Sequence, residues 1–477
     1  MSKARDIADS TATLDVDGGT IKLDGNYPVG THNVALGNNA LSSADSGANY
    51  NIAIGSAAGD AITTGDSNVG IGLNALGATT TASGNIAIGL NAMLANTTGA
   101  SNVGIGTYAL NANTTASENT ALGYQAGYST TTGGANTSVG VKALYLNTTA
   151  VANTALGWNA AYSNTTGASN VAIGYQSLAS NTTASYNTAV GYQAAYSNTT
   201  GADNTAMGTA AMYPNTTGNY NAAFGSASLR QNTTGSSNTA LGQSALNQNT
   251  TASNNTAVGY NAGYSNTTGI QNLFVGSDAG YANTTGSGNT YVGRGDSVAA
   301  GVLMTTGSKN TIIGGYTGNQ GGLDIRTSSN NIVLSDGAGS PRVWINGSGY
   351  IHSVPTYNNT TGAGANLHVE SSGQFVRSTS SLRYKNTVTD ATHGLTELMT
   401  LRSVTYKGNN DGDTVFGGLI AEEVHDAGLT EFVQYNDEGQ PDALAYSNMV
   451  SLCIKAIQEQ QATITALTDR ITALEGA

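Results

Sequence analysis

Between residues 51 and 305 one pattern of polar and apolar positions recurs every 17 residues. Asn stands at 51, 68, 85, 102, 119, 136, 153, 170, 187, 204, 221, 238, 255, 272 and 289, and Asn33 begins an earlier copy 18 residues upstream. A representative unit is 187–203, NTAVGYQAAYSNTTGAD. With the Asn as position 0, position 3 is apolar in all fifteen copies, from Ile54 and Ile71 to Val292, and position 4 is Gly in all fifteen. Position 1 is commonly Val, Ile or Thr, so positions 1 to 3 alternate as a short strand does. The Gly that follows permits a turn other residues make only at a cost. Position 7 is Ala in twelve copies, and positions 12 and 13 are Thr-Thr in fourteen.

Seventeen residues hold too few apolar groups for a core of their own. The pattern therefore predicts a mainly β fold of stacked coils, a solenoid in which the position-3 side chains form a continuous buried column. At about 4.8 Å per coil, fifteen coils span roughly 70 Å. The position-0 Asn and the Thr pairs are expected to form ladders bonded to their equivalents above and below. Open end strands invite aggregation, so a cap is expected at each end. One coil per level is thin, and three chains around a shared axis would bury far more surface. The NTAVG segment of the unit resembles the NxAxG repeats of YadA-like β-roll heads in trimeric adhesins, which implies a trimeric β-roll shaft over residues 33–305.

Beyond 305 the period breaks. Short β-like runs at 310–313, 331–334 and 342–345 lie between Gly-rich turns, and 347–379 is polar and turn-rich. Residues 306–379 form a β-rich connector, similar to that preceding the last domain of marine phage tail fibres. From 380 the pattern turns helical. Leu395, Leu398 and Met399 share one helical face, and GGLIAEEV follows at 417–424. Val450, Cys453, Ile457, Gln460, Ile464, Leu467, Ile471 and Leu474 then fall on alternating three- and four-residue steps, the seam of a coiled coil. Ile at a with Leu at d favours two strands. Gln460 and Cys453 interrupt that seam, and the thin shaft argues for three. Residues 380–477 are thus expected to be a small α+β domain ending in a coiled-coil helix.

Composition narrows the function. Only 9% of the 477 residues are charged, far below the usual share of roughly 25%. The net charge of −13 weighs against a nucleic-acid partner. Of the 20 charged residues after Ser380, 14 are acidic, so the acidity sits mainly at that end. A single cysteine, Cys453, excludes an intrachain disulfide framework. The start, MSKARDIADS, has no apolar stretch of the secretory kind, and no run of 18 apolar residues predicts membrane insertion. Nothing points to a metal or a cofactor. The NTT triplets match a glycosylation acceptor pattern, but their recurrence in register gives them a structural role. Two aromatic columns run along the repeat: Tyr124, Trp158, Tyr175, Tyr192 and Tyr260 at position 5, and Tyr128, Tyr145, Tyr162, Tyr196, Tyr213, Tyr264 and Tyr281 at position 9. They suit packing between coils or chains better than sugar stacking. Residues 51–305 contain six acids, Asp60, Asp66, Glu118, Asp203, Asp278 and Asp296, with no sequence cluster of the kind glycan hydrolysis needs.

Four ordered landmarks, SSLRYKN at 380–386, GLIAEEV at 418–424, ALAYSNMV at 443–450 and the terminal helix, resemble the C-terminal intramolecular chaperone domain of phage tailspikes and fibres, endosialidase tailspikes included. That resemblance implies a domain that assembles the trimer and then cuts itself off between Thr379 and Ser380. Ser380 would be the nucleophile and Lys385 its general base, a role lysine fills only when burial keeps it neutral. Ser381 stands where relatives often carry Asp and is a rival nucleophile. An uncut assembly domain is the alternative. Residues 1–32 resemble the start of marine phage fibre proteins and imply a virion anchor. The expectation is a homotrimeric virion tail fibre, made in the host cytoplasm and fixed through residues 1–32 to a tail or baseplate protein. It would meet a host-surface glycan or protein and act on no substrate but itself. A glycan-degrading tailspike, a capsid-attached decoration fibre and a bacterial adhesin are the rivals.

Overall fold

The computed structural model describes residues 30–294, 298–353, 367–369, 375–377, 387–409, 413–436 and 438–476. The chain divides into two units, Met1–Thr360 and Thr361–Ala477.

The first unit is a β-solenoid. Three-residue strands run from β1 (Val34–Leu36), one per copy, to β16 (Thr290–Val292). They continue into β17 (Thr311–Ile313) and, past the hairpin of β18 (Asn319–Gln320) and β19 (Leu323–Asp324), into β20 (Ile332–Ser335). Each solenoid strand pairs in parallel with the next, Asn-defined positions opposite their equivalents. The stack has eighteen coils by this strand count. The two coils past residue 305 lie where the 17-residue period alone predicts connector. Asn310 and Asn331 hold the position-0 place there, at intervals of 21.

The buried column is not position 3. In every strand the middle residue, position 2, is buried, while positions 1 and 3 are half-buried or exposed. The Asn at position 0 decides this. Its Nδ2 turns inward and donates to the position-14 carbonyl of its own coil, as Asn51 does to Gly65 O at 2.8 Å. Its Oδ1 accepts the backbone N–H of the next position 0, as Asn51 Oδ1 does from Asn68 N at 2.9 Å. With position 0 inside, the two-residue period of a strand puts position 2 inside and positions 1 and 3 outside. A second, unforeseen amide ladder runs at position 11. Asn113 Nδ2 donates to Asn96 Oδ1 at 2.7 Å and to Ala116 O at 3.1 Å. These are the Asn residues of the NTT triplets, and they are buried. The Thr at position 12 donates to its equivalent's carbonyl one coil on, as Thr165 Oγ1 does to Thr182 O at 3.0 Å.

Gly at position 4 has φ between 127° and 139° in every coil from Gly37 to Gly293, and a Cβ on Gly123 would lie 2.6 Å from Gly140 O. Positions 6, 8 and 16 also turn through positive φ with ordinary residues, for example Gln125, Leu144 and Ser169. None of the described solenoid residues that take positive φ is β-branched, the type least able to adopt that conformation.

The interior is narrow, so volume is conserved across it. Ala stands at position 2 in eleven of the eighteen coils and Leu or Met at position 8 in nine, all of them buried, as Ala240 and Leu246. Where position 2 enlarges to Phe274 or Tyr291, position 8 becomes Gly263 and Gly280, and Gly301 takes the same place in the coil of Asn289, which is four residues longer. A Cβ on Gly263 would sit 2.5 Å from the Phe274 ring, and one on Gly301 2.5 Å from the Tyr291 ring. The converse swap, Gly104 at position 2, is filled by Met93.

The last parallel strand does not stay open. β21 (Pro341–Ile345) pairs antiparallel with β20, and β22 (Ile351–Ser353) with β21. Trp344 Nε1 donates to Asn331 Oδ1 at 3.1 Å, replacing the N–H that a further coil would supply.

The second unit joins antiparallel pairs (Val404–Lys407 with Val415–Gly418, Val433–Tyr435 with Pro441–Leu444) to helices α1 (Leu395–Leu398), α2 (Ala421–Asp426) and α3 (Tyr446–Glu475). Val424, Leu429, Phe432, Val433, Met449 and Leu452 form its core. Two of the sequence landmarks meet here. The Tyr446 hydroxyl accepts from Leu419 N at 2.7 Å and donates to Leu419 O at 3.1 Å.

Candidate interaction surfaces

Ser380, Lys385 and Ser381 lie outside the described residues, as do residues 1–29 of the expected anchor. The surfaces that can be built from their residues upward are apolar ones, one on each unit.

On the solenoid the inward turn of positions 0 and 2 sends the larger aliphatic residues outward. None of the position-3 column is buried, and Leu122, Leu156 and Leu241 are each nearly half exposed. Position 5, just past the Gly turn, adds exposed Leu73, Leu90, Tyr124, Trp158, Tyr175, Tyr192 and Tyr260. In-register stacking makes a continuous apolar row at position 3 and shorter apolar runs at position 5, such as Trp158, Tyr175 and Tyr192. Eighteen position-3 residues in line expose on the order of 1,000 Å² of apolar surface, the size of a specific interface. Isolated exposed apolar residues are ordinary on a protein surface, but contiguous rows of this extent mark a contact face.

On the second unit α3 divides its faces. Met449, Leu452 and Ala456 pack inward, and Glu459 accepts from Leu395 N at 2.8 Å, tying α1 to α3. The sequence-predicted seam points away: Val450, Ile457, Ile464, Leu467, Ile471 and Leu474 are exposed, and so is Cys453. A long helix with one face in the core and a second apolar stripe in solvent has a surface its own domain does not use.

The aromatic columns pack as stacks. Trp158, Tyr175 and Tyr192 have ring centroids 4.8 and 5.2 Å apart, and Tyr128, Tyr145 and Tyr162 have centroids 5.1 and 5.0 Å apart, all within 13° of parallel. Lost hydration, and then the neighbouring phenols, push the Tyr145 hydroxyl above its ordinary pKa. Lys142 Nζ lies 5.5 Å from the Tyr145 ring centre.

Chemistry-bearing groups are sparse. Glu118 and Asp203 share a column but stand five coils apart, roughly 24 Å. Asp66 accepts the Asn49 N–H at 2.6 Å, and desolvation raises Asp60 despite backbone hydrogen bonds that lower it. Among the described residues no group of three His, Cys, Asp or Glu is placed to hold a metal ion, and no helix is long and apolar enough to cross a membrane. In the second unit His393 Nδ1 lies 2.7 Å from Glu431 Oε1, and that hydrogen bond raises the imidazole pKa. Arg402 pairs with Glu423 beside a shallow depression lined by Thr396, Thr400 and Asp426. Comparison with protein-family models, with curated proteins and with solved structures returned no match.

Proposed function

We propose that this chain is one subunit of a homotrimeric virion tail fibre, with the outward apolar rows of the solenoid and the seam of α3 as its two self-association surfaces. The observation that carries the assembly is the coincidence of both stripes in one chain. Along the shaft strands the larger aliphatic residues at position 3 face out while small Ala at position 2 faces in, and α3 keeps a heptad seam that its own domain leaves uncovered. Two copies of the chain packed against a third would remove both from water. The seam's Ile and Leu positions allow two strands or three. The wide shaft face, with aromatic rows beside it, favours three.

The virion role rests on the resemblance of the N-terminal segment and of the C-terminal landmarks to phage fibre proteins. On that reading residues 1–32 fix the fibre to a tail or baseplate protein, the shaft reaches a host-surface glycan or protein, and the C-terminal domain aligns three chains. Cleavage at Thr379–Ser380 by Ser380 and Lys385 would release that domain after assembly. Sedimentation and native mass spectrometry of the purified chain test the assembly. A trimer that falls to monomers with Leu467→Glu and Ile471→Glu supports it, and a wild-type monomer at micromolar concentration refutes it. A denaturing gel decides the cleavage: wild type should shorten by the mass of 380–477 and Ser380→Ala should not. Labelling whole particles with an antibody to residues 51–305 tests the placement.

A further inference from the structure

The position-9 tyrosine stack is broken once by a single coil. Tyr128, Tyr145 and Tyr162 stack at about 5 Å, and Tyr196 stacks on Tyr213 at 5.2 Å. Ala179 stands between the two groups. Backbone bonds from Ser163 N to Ala179 O (2.9 Å) and from Ser180 N to Tyr196 O (3.0 Å) hold the three coils in register. Tyr162 and Tyr196 are therefore two steps apart, roughly 10 Å at this spacing.

Inside a stack each ring is covered on both faces by its neighbours. At Ala179 the facing sides of Tyr162 and Tyr196 have no tyrosine between them, and the buried Ala methyl forms the floor. A ring inserted midway would lie about 5 Å from each tyrosine, within the range of ordinary ring contacts. The longer break, Arg230 and Asn247 between Tyr213 and Tyr264, is three steps wide and cannot grip one ring from both sides.

The borders of the slot are polar and uncharged. Lys142 over Tyr145 shows that positions 6 and 9 of one coil are neighbours. The same offset puts Gln176 beside Ala179 and Gln193 beside Tyr196, with Gln193 Nε2 donating to Gln176 Oε1 at 2.9 Å. Ser163, Ser180 and Ser197 directly follow position 9 in the three coils and are half-buried.

We infer that this slot binds one neutral pyranose ring. The C–H faces of the sugar would lie on Tyr162 and Tyr196, and its equatorial hydroxyls would meet the glutamine amides and serine hydroxyls. An aromatic side chain would fit the gap but offer nothing to the remaining glutamine N–H and C=O groups and the serine hydroxyls, which favours a polyhydroxylated ring. Taking a cell-surface glycan as its source rests on the attachment role proposed above; the ring-sized slot rests on the stack geometry alone.

The test compares the full chain with Ala179→Tyr, which completes the stack and fills the slot. Position 9 already carries Gly, Leu, Asn, Tyr and Arg in other coils, so the coil accepts the change, and an unchanged melting temperature confirms it. Both proteins are applied to a printed array of neutral glucosyl, galactosyl and mannosyl oligosaccharides, and retained sugars are titrated by calorimetry. Wild type should bind at least one, with Ala179→Tyr weaker by about tenfold or more and Tyr162→Ser also weakened. Equal binding by Ala179→Tyr, or no neutral sugar retained by wild type, overturns the proposal. Binding of the labelled proteins to host cells, run in parallel, separates the two readings. Cells bound equally by both proteins keep the attachment role and overturn the cell-surface source of the sugar, while the array judges the slot. Cells bound by neither sink attachment, while the array still judges the slot.

Discussion

Replacing Asn170 with Ala tests whether the position-0 ladder holds the coils together. Asn170 is buried, and its Oδ1 accepts the Asn187 N–H at 2.9 Å. Its Nδ2 donates to Ala184 O at 2.9 Å and to Asn153 Oδ1 at 3.1 Å. After truncation Ala184 O keeps a bond from Asn181 Nδ2, and Asn153 Oδ1 keeps one from Asn170 N. The Asn187 N–H is left buried with no acceptor. One orphaned donor costs about 1–3 kcal/mol, and the two lost donor bonds add about 0.5–1.5 kcal/mol each, so a loss of roughly 2–6 kcal/mol is expected. In a solenoid the weakness is local, because each coil touches only its neighbours. Hydrogen exchange of the peptide around Asn187 should accelerate more than that of distant coils, and urea unfolding should begin there. Asn170→Asp sharpens the test. Its carboxylate would face two oxygens, so its folded pKa rises above the unfolded value near 4 and the penalty is present at pH 7. The penalty should shrink as pH falls to the unfolded carboxylate range, where the protonated acid donates as the amide does. A Thr183→Ala control, at the exposed position 13, should change stability by less than about 0.5 kcal/mol. If Asn170→Ala matched that control, the ladder would not be what holds adjacent coils in register.

Gly123→Ala should disrupt its coil by more than about 3 kcal/mol, from the combined φ of 139° and the clash with Gly140 O, read as loss of the cooperative thermal transition; wild-type melting would contradict it. Gly263→Leu should cost about 2 kcal/mol or more alone and less beside Phe274→Ala, because the leucine then takes ring volume; strict additivity in a urea double-mutant cycle would disprove the volume exchange. The His393–Glu431 bond raises the imidazole pKa, so its contribution is full below the unfolded value near 6.5 and is lost as pH rises through the higher folded value. NMR titration should place His393 above the free imidazole in wild type and lower it in Glu431→Gln.

The sequence carried the repeat length, the strand at positions 1 to 3, the Gly turn and the Asn ladder, because each recurs in register and a solenoid makes register equal to contact. It also carried the terminal helix α3, since a 3–4 spacing is a helical property. It misplaced the inside of the coil. Alternation marks two faces without saying which is buried, and the larger aliphatic residues at position 3 draw the eye to the wrong one. The choice rests on a contact 14 residues away, Asn Nδ2 to the position-14 carbonyl, which only the closed coil reveals. The same closure turned the NTT amides inward, and two coils beyond residue 305 depend on Asn310 and Asn331 at a spacing that the 17-residue period does not contain. The exchange of Phe274 for Gly263 and Gly280 likewise needed the stack. Local periodicity fixes what repeats; inside and outside are decided by how the chain closes on itself.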